Sequence, residues 1–232
     1  MIAVKWFNSL IVYLQNRDWS RLRLRNMDPT KLRYPFKALL HPFDVANDIK
    51  YEEKGSLFIA NIFMLLIFVI QAVDKTSTAY LFNYNRPEEF NLLLTFFQSV
   101  LLIVLWCISN WLMCSITGGE GKFSEIWIIT WYATLPRLIL SPVSIVLSHF
   151  LVLEETMFLT VINVIAIGWF MVLVFFGMIT IHQYSATKAF FTVLLTVFCM
   201  AMICFIAVLF FSFFQQMMLF FISVFEEIAM RI

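Results

Sequence analysis

Few side chains in this sequence have the type and spacing to do chemistry. His41-Pro42-Phe43-Asp44 sets an imidazole and a carboxylate on one turn of chain. No third ligand lies nearby in sequence, so the pair lacks the donor set of a metal site or a catalytic relay. A local cap at a helix start is the simpler reading, with Pro42 in the first helical turn. Gly118-Gly119-Glu120-Gly121 has the glycine density of a phosphate-cradling loop. It follows an apolar helix rather than a strand, however, and no Gly-Lys-Ser/Thr closes it. The turn reads instead as a place for positive φ and close helix approach, with Ser124 capping the next helix. Cys107, Cys114, Cys199 and Cys204 all fall inside apolar runs without zinc spacing. They read as small buried hydrophobes. His182 reads as an interfacial residue rather than a ligand. No His/Glu metal motif, Ser/His/Asp set or aspartate pair stands out, so neither an enzyme nor a cofactor is expected.

The polar residues that matter more sit inside apolar segments. Arg137 directly follows Pro136, midway along a long apolar run that also holds Pro142. A proline there removes a backbone hydrogen bond and kinks or breaks a helix. A guanidinium near a bilayer centre costs about 2.5–3.5 kcal/mol on insertion scales. Arg137 must therefore snorkel, line a wet cavity, or staple the carbonyls freed at the break. Asn110 and Asn163 read first as interhelical hydrogen-bond partners.

The elements that must position these groups follow from composition. The chain has 232 residues, 62% hydrophobic and 13% charged, including 27 Phe. A soluble fold could not hide that much apolar surface, so lipid is its solvent. The expected architecture is all-α and polytopic, with about five transmembrane helices over residues 56–73, 92–116, 125–150, 157–181 and 189–214. The third is expected to be kinked or broken. Trp111, Trp127 and Trp131 surround the glycine turn as an aromatic belt would. Gln215-Gln216 interrupts the last run, leaving 215–232 as a short amphipathic tail.

Residues 1–54 form a distinct basic segment, with ten Lys/Arg against six Asp/Glu. Met1–Leu14 reads as an interfacial amphipathic helix. The Arg17–Arg25 run would be drawn to anionic headgroups, and it is too short and too close to a membrane domain to suggest nucleic acid. Pro42 to Lys54 reads as a helix lying along the membrane surface. Lys and Arg concentrate before the first span, which puts the N-terminus in the cytoplasm. With five spans, the turn at Gly118 and the loop at His182 share that side, and the C-terminus is outside.

This arrangement resembles the Yip1 family over about residues 41–214. The pattern is carried by Gly118-Gly119-Glu120-Gly121-Lys122-Phe123-Ser124, then Trp131-Tyr132-Ala133 and Leu135-Pro136. His41-Pro42-Phe43-Asp44, Ile49-Lys50-Tyr51-Glu52, Gly55-Ser56, Gly177-Met178 and His182-Gln183-Tyr184-Ser185 look like the family's bacterial branch, implying a bacterial plasma membrane. Eukaryotic members are implicated in vesicle traffic and bind prenylated Rab GTPases, with an acidic element before the first span. This chain lacks that element, His41–Asp44 being nearest by position, which argues against GTPase binding. Some bacterial members accompany sugar-uptake ABC transporters, which implies an accessory role beside transporter subunits.

The expected function is therefore a non-enzymatic partner or scaffold for other membrane proteins. The rival is a small-solute carrier or channel whose pathway Arg137, Asn110 and Asn163 would line. Scarcity of intramembrane acids counts against the rival, since proton-coupled pumps use acidic or histidine relays.

Overall fold

The computed structural model describes residues 29–83 and 90–231. The expected interfacial helix over 1–14 and the Arg17–Arg25 run lie outside the described residues. After a 3-10 turn at Pro29–Leu32 come α1 (Arg33–Leu40) and α2 (Pro42–Tyr51), then α3 (Leu57–Ser77) and α4 (Leu92–Thr117). They are followed by α5 (Phe123–Tyr132), α6 (Leu135–Ser148), α7 (Thr156–His182) and α8 (Ala186–Arg231). The described residues form five helical stretches long and apolar enough to cross a membrane, the third made of α5 and α6 together.

Local chemistry sets most of the boundaries. Ser56 starts α3, its Oγ accepting from Ile59 N at 3.5 Å. Asn91 starts α4 by accepting from Leu94 N at 3.1 Å. Gly118 ends α4 in the left-handed region at φ 69°, and Gly119 N donates to Cys114 O at 2.8 Å. That pairing satisfies a terminal carbonyl that lipid could not. Gln183, at φ 55°, ends α7 the same way, with Tyr184 N donating to Ile179 O at 3.0 Å.

Several boundaries differ from those expected. Pro42 does open α2, but His41 makes no side-chain capping bond, so the His41–Asp44 cap is not formed. That helix ends at Tyr51 rather than Lys54, because Glu53 turns to φ 51°. Ser124 lies inside α5; the acceptor at its start is Glu125, whose carboxylate takes Lys122 N at 3.1 Å. Gln215-Gln216 does not interrupt α8, which runs 46 residues without a break. Gln is a good helix former and its side chain leaves the backbone ladder intact.

The third span is broken as the prolines require. The helix stops after Tyr132, Ala133-Thr134 form a turn, and Pro136 sits in the first turn of α6. Its missing N–H costs least there. Thr134 Oγ1 donates to Trp131 O at 2.7 Å, which satisfies one carbonyl at the break.

Trp131 and Tyr132 are fully buried, with Phe63, Ile67, Val100, Cys107 and Leu135 in the same core. Trp131 is thus a core residue and not a belt residue. Trp111, at 43% exposure, keeps an open face, and Trp127 is partly buried. Between helices in lipid the hydrophobic effect supplies little drive, so close packing and polar contacts decide the arrangement. Gly177 illustrates this. A Cβ there would lie 2.7 Å from Ile129 Cγ1, so a small residue is what lets α7 approach α5.

Helices α1 and α2 pack into the bundle, burying Pro35, Ala38, Val45, Ala46 and Ile49. Helix α8 is the outlier. It packs on α4 and α7 through Ala189, Thr192, Thr196 and Cys199. Beyond Ile203 every described side chain is exposed.

Candidate functional site

Asn110, Cys114 and Thr117 lie on one face of the last turns of α4. They meet Met178 and His182 of α7 and Tyr184 just beyond it. His182 is 2% exposed, buried within the protein. The glycine turn folds over its ring and takes it out of solvent. Gly121 N donates to His182 Nδ1 at 3.3 Å. A backbone N–H can only donate, so Nδ1 keeps its lone pair and Nε2 carries the hydrogen. That hydrogen faces Asn110 Oδ1 at 3.1 Å and Cys114 Sγ at 3.1 Å. Asn110 Nδ2 in turn reaches Met178 Sδ at 3.1 Å.

The glycines are required by contact. A Cβ on Gly121 would stand 2.4 Å from His182 Cε1, and one on Gly119 would stand 2.4 Å from the Tyr184 hydroxyl. Tyr184 stacks on His182 with ring centroids 5.3 Å apart. Its hydroxyl shares a hydrogen bond of 2.7 Å with Thr117 Oγ1. Burial pushes the Tyr184 phenol up to about 12. Lys188 Nζ sits 4.3 Å from the Tyr184 ring centroid.

Lys50 closes the seam from α2. Its ammonium donates to Ile181 O at 2.8 Å and to Glu120 Oε2 at 3.0 Å. The Lys50 side chain is only 9% exposed, against 68% for Glu120. A cation on the last carbonyls of α7 also complements that end of the helix dipole. The seam thus ties α2, the glycine turn, α4 and α7 together.

A thiol beside an imidazole suggests nucleophilic catalysis, but here the parts are committed. Cys114 is 1% exposed. Both ring nitrogens of His182 are engaged, one by the backbone and one by Asn110. The arrangement works as a lock between helices. Among the described residues no cluster of three or more metal-ligating side chains occurs.

The other expected site residues lie elsewhere. His41 and Asp44 are exposed at the start of α2, with Pro42 between them. Tyr132 Oη accepts from Ser56 N at 3.2 Å, joining the break in the third span to the start of α3. Pro136 is buried beside it. Arg137 does not staple freed carbonyls; its Nη2 donates to Gln71 Oε1 of α3 at 2.6 Å. Nearby on α3, Lys75 bonds Thr95 at 3.4 Å and also Gln98. Asp74 accepts from Thr78 Oγ1 at 3.1 Å. Thr95 and Asn110 stand roughly 22 Å apart along α4 at ~1.5 Å per residue. The core around Val100 and Cys107 separates the two polar groups. Asn163 bonds its own helix, at Leu159 O, 3.1 Å away. Arg137, Asn110 and Asn163 are therefore not brought together.

Lys50, Glu120 and Tyr184 entered the sequence reading only inside quoted motifs and Cys114 only as a buried hydrophobe; none was expected at a site. The signal available was the spacing of Asn110, Cys114 and Thr117, which share a helix face. No curated protein and no solved structure is similar enough to this chain to match it. The family model described as the Yip1 domain matches residues 36–225, which takes in α2 through the exposed part of α8, the broken third span and the whole glycine seam. The chain belongs to the Yip1 domain family.

Proposed function

We propose that this protein is a non-enzymatic partner or scaffold for other membrane proteins, serving as an accessory factor in a transport or trafficking complex. The observation that carries the reading is the fifth span. Its apolar window is 11% buried, against 56% for the third span. A helix docked along one edge and open on its other faces offers lateral surface on which another membrane protein can pack. The locked seam and the separation of Arg137 from Asn110 support the same reading, since a carrier needs a central polar site reached from both sides. The excess of Lys and Arg in residues 1–54 supports a cytoplasmic N-terminus. Five spans then put the glycine turn on the same side and the end of α8 on the other, in a plasma membrane of bacterial type. Nothing here favours a nucleic acid or GTPase partner.

The test pairs copurification with transport. Replacing Phe205, Phe210 and Phe211 by Ala should reduce partner copurification in mild detergent while the five spans still insert. Deleting residues 1–40 should weaken it as well. Purified protein in liposomes should move no sugar, ion or amino acid above background. Saturable solute flux by the protein alone, lost in Arg137→Leu, would overturn the scaffold reading in favour of the carrier.

A further inference from the structure

We infer that α1 and α2 form a re-entrant hairpin that enters the bilayer from the glycine-turn side and packs against the acyl chains of that one leaflet. Three contacts fix its course along α7. Lys50 meets Ile181 O at 2.8 Å, the Phe43 and Phe176 rings lie 4.8 Å apart, and Leu39 O accepts from Trp169 Nε1 at 3.3 Å. As the chain steps back from Lys50 to Leu39, its partners step from the end of α7 to its middle. From Ile181 to Trp169 that path is about 18 Å at ~1.5 Å per residue. Lys37 Nζ meets Asp48 Oδ2 at 3.0 Å, so α1 returns alongside α2 with the tip at His41-Pro42.

The length of α3 decides whether this depth lies in water or in lipid. Its apolar stretch, Leu57 to Val73, measures about 26 Å, against a hydrocarbon core of ~30 Å. No part of it can be spared, so Leu57 lies at the leaflet surface. Tyr51 is joined to Leu57 by a short turn and lies at that surface too. The hairpin running inward from Tyr51 along α7 is therefore inside the leaflet.

Its faces suit that position. Pro35, Ala38, Val45, Ala46 and Ile49 pack inward on the bundle. Leu32, Phe36 and Leu40 point away from it at 52%, 58% and 73% exposure, and Phe43, packed on Phe176 of α7, keeps its other face open. They continue the lipid-facing surface of the spans. Lys37 and Asp48 pair across the hairpin, and Asp44 sits in the first turn of α2, where the helix dipole favours a carboxylate. Helix ends at membrane depth are tolerated where protein or water meets their free backbone groups. The bundle supplies the one, and the edge carrying His41, Asp44 and Asn47 admits the other.

Depth-resolved quenching tests the inference. Single cysteines at Leu40, Phe36, Tyr51 and Leu66, in a chain lacking the native four, would carry a small environment-sensitive fluorophore. The full chain would be reconstituted into phosphatidylcholine vesicles holding lipids brominated at the mid-chain or labelled at the headgroup. The Leu40 and Phe36 probes should lose fluorescence to mid-chain bromine as strongly as the Leu66 probe on α3, and the Tyr51 probe should respond to the headgroup label. Quenching of both hairpin probes by aqueous iodide, with no effect of brominated lipid, would place the hairpin on the surface and overturn the inference. Shielding from lipid and iodide alike would also overturn it, by showing that protein covers this face. The Leu66 probe reports whether the spans have inserted, and Phe36 decides if the Leu40 variant fails to fold.

Discussion

His182→Ala is the most informative single change. It removes the acceptor for Gly121 N–H and the donor facing Asn110 Oδ1, and it leaves a void under the glycine turn. An orphaned buried donor or acceptor costs about 1–3 kcal/mol. Hydrogen bonds between helices in lipid average nearer ~0.6 kcal/mol in double-mutant cycles. The void adds about 2 kcal/mol or more, by analogy with large-to-small core changes. The three together amount to about 4–6 kcal/mol, which for a domain of this size is a fall of roughly 10–20 °C in apparent melting temperature. Cys114 supplies the assay. It touches the ring directly and is buried, so its reaction with a fluorogenic maleimide reports opening of the seam. In detergent, with Cys107, Cys199 and Cys204 replaced, His182→Ala should label at lower temperature and faster. His182→Gln should recover part of the loss, because an amide can both accept from Gly121 and donate to Asn110. If His182→Ala melts within about 2 °C of the parent with Cys114 equally protected, the lock argued for the seam does not exist.

Gly121→Ala should destabilise more than Gly118→Ala. The first drives a methyl into His182, whereas the second meets open space and costs about 1 kcal/mol for its positive φ; thermal melts of the pair decide it. Arg137→Leu and Gln71→Leu should be coupled by about 0.6–1.7 kcal/mol in a double-mutant cycle, and purely additive effects would remove the bond between them from the account. Tyr184 bears on alkaline stability. Its phenol titrates at about 12 in the fold against an ordinary 10.0, so above pH 10 the unfolded chain loses its proton first. The contribution is level below that pH and falls as pH rises through the window to about 12; Tyr184→Phe should flatten that limb of the curve. For topology, single cysteines at Glu155 should react with an impermeant thiol reagent from outside intact cells, while those at Lys122 and Ser185 should not.

The spans were readable because each is a continuous apolar run longer than a hydrocarbon core, and lipid leaves such a run few conformations other than a helix. Pro136 announced the break in the third span for an equally local reason. What stayed hidden depends on partners distant in sequence. The need for small residues at Gly119 and Gly121 was legible, but not that His182 and Tyr184 would fill the space. Trp131 was misplaced because Trp beside a turn suits an interface, and nothing nearby in sequence reveals that α3 and α4 close over it. The depth of α1 and α2 is set by Phe176 and Trp169, which no reading of residues 33–51 could supply. Gln215-Gln216 misled in the opposite direction, since two amides lower hydropathy without loosening a helix.

The length of α8 has a consequence for the kind of bilayer this protein can inhabit. The part of this helix that counts as a candidate span, Ala186–Val224, has 39 residues, or about 58 Å of helix at ~1.5 Å per residue. Even at a steep tilt of ~40° that projects roughly 44 Å onto the normal, well beyond a ~30 Å core. Helix α3 has no such surplus. The two respond oppositely to hydrophobic mismatch. In a thicker membrane α3 must pull the leaflets inward or draw its flanking residues toward the interface, while α8 merely submerges another turn. In a thinner one α3 is relieved, and more of α8 emerges with its phenylalanines bare. The short span thus sets the thickness the domain prefers, and the long one sets how much apolar helix it presents outside that thickness.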